Sequence, residues 1–296
     1  MTGAIAGRNA ASRIAVVGSV NLDLVAHVKA LPEPGETVTG ARLSRHPGGK
    51  GANQALAARR LGAHVNLFAQ VGDDSEAKEA LALLEKGGVD LANCRPRTGM
   101  PTGLAMIVVA EDGENQITVA PGANAAYRPD RLPLEDFDAV LCQLEVPDDA
   151  LSAAAASAGG LFCINLAPYR PIPAACLARA DLLVLNEGEA RLARDDLAPF
   201  RGRMAVTFGA DGARLYEKGQ ELAAARPPAI DAADATGAGD AFTAALVVGL
   251  LEEASPQEAL AFACAAGAAA AMREGTQPAL PVRGDIERLL KTERER

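Results

Sequence analysis

Short apolar runs, rich in leucine and β-branched residues, alternate along this chain with longer stretches of helix-like composition. Such alternation is typical of α/β proteins, in which helices cover both faces of a mainly parallel sheet. We therefore predict a layered fold with a central, mainly parallel sheet between helices. The predicted strands are residues 14–17, 65–69, 139–144, 161–164, 182–185 and 204–208, and the predicted helices include 53–61, 75–86, 147–158 and 241–251.

Two segments, about residues 21–46 and 101–121, break this rhythm. Both are extended, alternate more strongly in hydrophobicity and contain turn signals, namely Pro34-Gly35 and the run 111–114. We predict that they form a small β-sheet lid beside the main sheet. Residues 13–290 would then form a single domain, and the small and polar residues 1–12 a flexible N-terminal tail.

The composition limits the classes of partner. Of the 296 residues 49% are hydrophobic, enough for a large core, and the net charge is -9. Nucleic-acid binding draws its affinity from Lys and Arg facing phosphates, so the acidic balance argues against a nucleic-acid partner. A small phosphorylated molecule stays possible because it needs only a local positive site.

The compartment is predicted from cysteine usage and from the apolar stretches. The five cysteines contain no C-x-x-C pair, which disfavours a disulfide framework and a zinc cluster and fits reduced thiols. Residues 1–12 lack the apolar run of a secretory signal, and stretches such as 261–272 are too short to span a bilayer. We expect a soluble, cytoplasmic protein without a membrane partner.

Polar residues follow several of the predicted strands. Ligands of parallel α/β sheets bind at the carboxyl ends of the strands, so these side chains predict one shared site. Each of them alone fits ordinary loop chemistry better than a binding site, but their number favours a site. They are Gln143, Glu145, Asn165, Asn186, Glu189 and Thr207.

The segment 234–240, DATGAGD, leads directly into the apolar helix predicted at 241–251. Small residues at Gly237, Ala238 and Gly239 allow backbone N–H groups to converge at a helix N-terminus, where they form an anion hole. Asp240 is placed to accept a proton from an attacking hydroxyl. Helix capping is the alternative role for Asp240, but two carboxylates flanking a glycine-rich turn exceed what capping requires.

A second motif, PGGKGANQA at residues 47–55, precedes the first predicted helix. It is not a P-loop, because Gly51 follows the lysine where Ser or Thr is required. Together the two motifs resemble the ribokinase family, also called PfkB-type carbohydrate kinases, from about Arg13 to Arg283. The resemblance implies a three-layer α/β/α fold with a small β-lid. Ala235 departs from the family pattern, which usually has Thr at that position.

The resemblance implies roles on the sugar side. Lys50 and Asn53 would bind sugar hydroxyls beside the close-approaching turn at Gly49, and Asp240 would act on the hydroxyl that is phosphorylated. In the segment after the first strand, Asn21 and Asp23 share one face of an extended chain. The implied sugar-binding set is Asn21, Asp23, Gly49, Lys50, Asn53, Glu145 and Asp240.

The resemblance also implies a nucleotide side for ATP. Asn186 and Glu189 fit an N-x-x-E motif that acts near Mg²⁺, with Glu189 reaching the ion through a water molecule. Cys264 stands where relatives often carry a histidine beside the adenine, and core packing is its alternative role. The remaining implied ATP-binding residues are Thr207, Gly209, Gly212 and Gly239.

Many members of the family are activated by a monovalent cation such as K⁺. The resemblance implies a site for it from Asp234 and Thr236 together with the carbonyl groups of Ala271, Glu274 and Thr276. The connection between Glu189 and Thr207, only 17 residues long, is shorter than is usual in the family. This shortening affects the expected purine selectivity more than the expected catalysis.

The function implied is that of an ATP-dependent sugar kinase with D-ribose as acceptor at its O5 hydroxyl. A kinase of a nucleoside, deoxyribose or a fructose-type sugar on the same fold is one alternative. A non-catalytic sugar or nucleotide sensor is another, against which the intact Asp240, Gly237, Gly239 and Lys50 count. Unpaired strand edges in the lid predict a homodimer.

Overall fold

The computed structural model describes residues 11–294, so residues 1–10 of the predicted tail lie outside the described part. The strands are β1 (Arg13–Val17), β2 (Asn21–Val28), β3 (Arg42–Gly48), β4 (His64–Gly72), β5 (Cys94–Arg97), β6 (Gly103–Ala110), β7 (Asn115–Ala120), β8 (Ala139–Gln143), β9 (Leu161–Asn165), β10 (Leu182–Asn186), β11 (Arg203–Thr207), β12 (Ala213–Glu217) and β13 (Gln220–Ala225). The helices are α1 (Lys50–Arg60), α2 (Ser75–Gly87), α3 (Asp148–Ser157), α4 (Ala174–Arg179), α5 (Glu187–Leu192), α6 (Ala238–Leu251), α7 (Pro256–Ala271) and α8 (Arg283–Arg294).

The main sheet has nine strands in the order β13-β12-β11-β10-β9-β8-β1-β4-β5. The strands from β11 to β5 run parallel, and β12 and β13 are added antiparallel at one edge. The carboxyl ends of the parallel strands therefore meet along one edge of the sheet, as the sequence predicts. The three-layer α/β/α fold with a small second sheet is confirmed.

All six predicted strands are present, each within a few residues of its predicted bounds, and the four predicted helices are present too. The sequence pattern missed β5, β12 and β13. Strand β5 has only four residues and is largely exposed, and β13 is exposed at four of its six positions and half-buried at another. Edge strands bury too little apolar surface to produce a strong hydrophobic pattern.

Two apolar cores lie on opposite faces of the main sheet. One packs α1, α2, α6 and α7 against the sheet, and the other packs α3, α4 and α5. Helices α6 and α7 consist largely of small residues and approach each other closely. A Cβ atom on Gly249 would lie 3.2 Å from the Cα and Cβ atoms of Ala259. The alanine-rich sequence thus makes tightly packed helices.

The small sheet, in the order β3-β2-β6-β7, forms the lid. It is mixed, because β2 runs parallel to β6 whereas β3 and β7 are antiparallel to their neighbours. Gly113, with φ 88°, makes the predicted turn between β6 and β7. Only residues 18–20 separate β2 from β1, so the lid rises directly from the carboxyl end of a central strand.

Among residues 11–294, no helix combines the length and the apolar composition needed to cross a bilayer.

Candidate active site

The N-terminus of α6 forms one wall of the site. Gly237 caps it with φ 79°, and a Cβ atom there would also lie 2.8 Å from Cγ2 of Thr276, so glycine is required. The N–H of Ala238 donates to the carbonyl of Ala235 at 3.1 Å, which removes this group from the predicted anion hole. The N–H groups of Gly237, Gly239 and Asp240 have no protein acceptor within residues 11–294. Backbone donors therefore remain for an anion.

Asp240 lies in the first turn of α6 and is only 5% exposed. Its Oδ2 atom accepts a hydrogen bond from Nδ2 of Asn53, and its Oδ1 atom accepts one from Nε2 of Gln54, both at 2.9 Å. The two predicted motifs thus meet at this carboxylate. Gln54 was not singled out from the sequence, although its place beside Asn53 in the motif 47–55 could have indicated it.

The N-terminus of α1 forms the opposite wall. Gly49 caps it with φ 89°, and the backbone N–H of Lys50 donates to Oε2 of Glu145 at 3.0 Å. The hydroxyl of Ser19 donates to the same oxygen, and no sequence pattern singles out that serine. Glu145 was expected to contact the sugar. Here its carboxylate is positioned by the helix N-terminus, where the helix dipole stabilises negative charge.

Carboxylates crowd around the side chain of Lys50. Burial lowers the pKa of Lys50, but the carboxylates of Asp240, Glu145, Glu189 and Asp23 outweigh it, so that the pKa lies above its ordinary value. Burial, together with Glu145 and Asp240, raises the pKa of Asp23 to about 7 although Lys50 opposes this rise. The site therefore holds one positively charged lysine and a carboxyl group that titrates near neutrality.

Asn21 is held by a buried neighbour from the segment after β7. Nδ2 of Asn124 donates to Oδ1 of Asn21 at 2.8 Å and also to the carbonyl of Val20. Oδ1 of Asn124 accepts from the N–H of Val20. A Cβ atom on Gly103 would lie 2.2 Å from Oδ1 of Asn21. This fixed geometry places Asn21 at the first residue of the lid, and Asp23 two residues further on the same face.

The N-x-x-E motif forms a capping box at the start of α5. Oδ1 of Asn186 accepts from the N–H of Glu189, and Oε2 of Glu189 accepts from the N–H of Asn186, both at 2.8 Å. Burial raises the pKa of Glu189 above its ordinary value, against the opposing effects of Asn186 and Lys50. Oε1 of Glu189 carries the remaining acceptor capacity, which fits a hydrated Mg²⁺ ion that needs few protein ligands.

The predicted ATP-binding residues beyond β11 divide into two groups. Thr207 ends β11, and Gly209, with φ 59°, begins a short exposed 3₁₀ turn. Gly212 and Cys264 instead pack near β13. A Cβ atom on Gly212 would lie 2.1 Å from the carbonyl oxygen of Ala225, to which Sγ of Cys264 donates at 3.6 Å. Burial raises the pKa of Cys264 to about 12, which favours its packing role.

Asp234 links the two loops that the predicted cation site requires. Its Oδ1 atom accepts from the N–H and the hydroxyl of Thr236, and its Oδ2 atom accepts from the N–H of Gly275. Burial would raise the pKa of Asp234, but these hydrogen bonds hold it below its ordinary value. Gly275 lies between Glu274 and Thr276, two of the predicted ligands.

The carbonyl of Ala271 accepts the N–H groups of Ala233 and Asp234, so it also lies beside this carboxylate. The groups present are carboxylate, hydroxyl and carbonyl oxygens, the hard donors that suit an alkali cation. The donor types therefore fit a monovalent cation, but the Ala271 carbonyl already accepts two N–H groups, which leaves the carboxylate of Asp234 and the hydroxyl oxygen of Thr236 as the better-placed ligands.

Comparison with known proteins places these groups in a family. A model described as pfkB family carbohydrate kinase matches residues 11–283. The ribokinase of Bacillus subtilis (strain 168) is 36% identical over 291 residues, which covers 94% of this chain and 99% of that protein.

Solved structures agree. The crystal structure of the ribokinase from Thermotoga maritima has a TM-score of 0.86 at 30% identity and covers 94% of this chain and 99% of its own. That of Arabidopsis thaliana ribokinase complexed with ribose and ATP has a TM-score of 0.84 at 30% identity, covering 95% and 99%. The chain therefore belongs to the pfkB family of carbohydrate kinases, phosphotransferases whose acceptor is a sugar hydroxyl.

Proposed function

We propose that this protein transfers the γ-phosphoryl group of ATP to the O5 hydroxyl of D-ribose, with Asp240 as general base. The observation that carries the proposal is the buried carboxylate of Asp240, which lies at the N-terminus of α6 beside free backbone donors and is bonded to the sugar motif through Asn53. The ribose and ATP bound to the Arabidopsis relative agree with this choice of substrates.

The chemistry requires a proton acceptor and an anion site on opposite sides of the γ-phosphorus. The attacking hydroxyl gives its proton to Asp240 as the new O–P bond forms, and the bond between the γ-phosphorus and the bridging oxygen breaks, which releases ADP. The N–H groups of Gly237 and Gly239 would stabilise the charge on the transferred group, with Lys50 as a nearby cation. Mg²⁺, held through water by Glu189, would neutralise phosphate charge, and K⁺ held at Asp234 would add positive charge near the start of α6.

Sugar recognition is proposed for Asn21, Asp23, Gly49, Lys50, Asn53 and Glu145. Oδ1 of Asn53 is buried and has no hydrogen-bond partner within the described residues. A buried acceptor without a hydrogen-bond partner costs free energy. A sugar hydroxyl that donates to Oδ1 of Asn53 would remove this cost. For ATP the proposed contacts are Asn186, Thr207, Gly209 and Gly239, while the packing of Gly212 and Cys264 argues for indirect roles.

The test is ADP release in Mg-ATP and K⁺ across a panel of D-ribose, 2-deoxyribose, fructose and nucleosides, with the product identified by ³¹P NMR. The proposal expects ribose to give the highest kcat/KM and a phosphate on O5. A nucleoside that outpaces ribose by a wide margin would favour another acceptor. Calorimetric binding of ribose without turnover of any acceptor would favour a sensor.

We also propose a homodimer through the lid. Val119 lies in register with Ala105 and Asp23, and Ile117 is two residues from Val119 on the same strand, so both share the face of the lid that carries Asp23. Their side chains are 46% and 57% exposed, which favours a second copy as their cover. Light scattering should give a dimer for the wild type and a monomer for Ile117→Lys; a monomeric wild type would contradict the proposal.

A cytoplasmic location is proposed from the thiols. All five cysteines are free, and four of them are buried. Oxidising compartments favour disulfides, whereas unpaired thiols persist in the reducing cytosol.

A further inference from the structure

Gln54 connects the carboxylate of Asp240 to the central sheet. Its side chain is fully buried in α1. Nε2 of Gln54 lies 2.9 Å from Oδ1 of Asp240 and 3.0 Å from Oδ1 of Asn165, and Oε1 accepts from Nε2 of Gln143 at 2.7 Å. Both ends of the Gln54 amide are therefore held, one by β8 and the other by β9 and Asp240.

The backbone of β10 decides which end of the amide faces Asp240. The carbonyl of Val184 can only accept, so Asn165 must direct its Nδ2 group toward it, at 3.0 Å. This leaves Oδ1 of Asn165 facing Gln54, where only an N–H group can satisfy it. Nε2 of Gln54 is consequently turned toward both Asn165 and Asp240, and the base receives a donor with a fixed direction.

This arrangement restrains the rotation of the carboxylate. Gln54 bonds Oδ1 of Asp240 while Asn53 bonds Oδ2, so both oxygen atoms have a defined position. Asn53 is also a proposed sugar ligand, whereas Gln54 is bonded only to protein groups. The bond from Gln54 is therefore the one that does not depend on the substrate.

We propose that Gln54 is a positioning residue for Asp240, which it holds in the orientation that accepts the proton of the sugar hydroxyl. The inference rests on the proposed function. Positioning of a reacting group contributes to the rate of the chemical step and leaves ground-state sugar binding largely unchanged. Loss of the donor should therefore lower kcat more than it raises KM.

The central variant is Gln54→Met, which keeps the length of the side chain and removes both hydrogen-bonding groups. We expect kcat for ribose to fall about 10- to 100-fold, while KM changes less than about twofold. Asn165→Leu removes one of the groups that hold the Gln54 amide, so the direction of its N–H group toward Asp240 becomes less fixed and kcat should fall in the same sense but by a smaller factor. Both changes act on the same hydrogen bond, the one from Gln54 to Asp240. The kcat of the double variant should therefore lie within about twofold of the kcat of the slower single variant.

Gln257→Met is the matched control, because Gln257 donates to the carbonyl of Ala224 at the start of α7 and is exposed. An unchanged kcat in Gln54→Met would overturn the proposal, as would parallel changes in kcat and KM or an additive double variant. If Gln54→Met does not fold, as judged by circular dichroism, Asn165→Leu decides by the same criteria. If the wild-type enzyme does not phosphorylate ribose, the proposed function is wrong. If the wild type is active, Asp240→Asn is inactive and Gln54→Met is unimpaired, only the role of Gln54 is wrong.

Discussion

Asn53 and Asp240 are 187 positions apart in the sequence, yet Nδ2 of Asn53 donates a hydrogen bond to Oδ2 of Asp240 over 2.9 Å. Asn53 lies in the first turns of α1 and Asp240 in the first turn of α6, and both side chains are buried. The two helices begin at the same place, so the N-terminal glycine motif and the C-terminal one form a single site. A change in either residue is expected to act on the same chemical step.

The first prediction concerns Asp240→Asn. An amide cannot accept the proton of the sugar hydroxyl, so kcat should fall about 100- to 10,000-fold. Ribose should still bind, because the other proposed sugar ligands remain, and calorimetry measures this directly. Asp149→Asn on the surface of α3, where the carboxylate pairs with Arg128, is the control. Wild-type turnover in Asp240→Asn would contradict the assignment of the base.

A second prediction follows from the pKa of Asp23, which burial and the carboxylates of Glu145 and Asp240 raise from 3.8 to about 7. An unfolded chain ionises this group more easily than the folded one, so the free energy of unfolding should fall as the pH rises from about 4 to about 7. Asp23→Asn abolishes this loss and should stabilise the protein by about 1 to 3 kcal/mol above pH 7, while sugar binding weakens.

Urea unfolding at pH 5 and pH 8 checks this prediction. The variant and the wild type should differ more at pH 8 than at pH 5, because the ionised carboxylate is the costly form. Parallel changes of stability in both proteins would show that another group causes the pH dependence. Ribose titrations on the same samples report the expected loss of affinity.

The third prediction concerns Gly48→Ala, because the carboxylate of Asp23 occupies the place that the alanine methyl group would take. A Cβ atom at this position would lie 2.2 Å from Oδ2 and 2.4 Å from Oδ1 of Asp23. The aspartate must therefore move, and KM for ribose should rise at least about 10-fold, since a displacement of about 1 Å disrupts a positioned group. Gly284→Ala in α8 is the control, because its Cβ atom meets nothing closer than Nη1 of Arg288 at 3.5 Å. Equal KM values in the two variants would contradict the argument.

The fourth prediction concerns activation by a monovalent cation at Asp234. Asp234→Asn keeps the size of the side chain but removes the negative charge and weakens the bonds to Thr236 and Gly275. We expect stimulation by K⁺ to fall at least about 10-fold, while the activity in a buffer free of alkali cations, with tetraalkylammonium in place of K⁺, changes little. Steady-state rates across a K⁺ series measure this. Stimulation equal to that of the wild type would place the cation elsewhere.

The buried strands and the two glycine motifs could be predicted from the sequence because their signals are local. Apolar runs of strand length, the turns at Gly49 and Gly237 and the helices that follow them depend on neighbouring residues. Asp240 was recognisable as a candidate base for the same reason, since a carboxylate in the first turn of a helix, directly after small residues, is visible within seven consecutive positions. The exposed strands β5 and β13 lack such a signal, and only backbone pairing with the neighbouring strand reveals them.

The sequence by itself determined the order of the buried strands and of the main helices along the chain, and the chemical groups available at the carboxyl edge of the sheet. Only the tertiary structure decided which of those groups meet. It turned Gln54 toward Asp240, placed Glu145 at the N-terminus of α1 and packed Cys264 against β13. Hydrogen-bond partners separated by many residues depend on how the helices pack on the sheet, and the local periodicity of a sequence does not specify that packing.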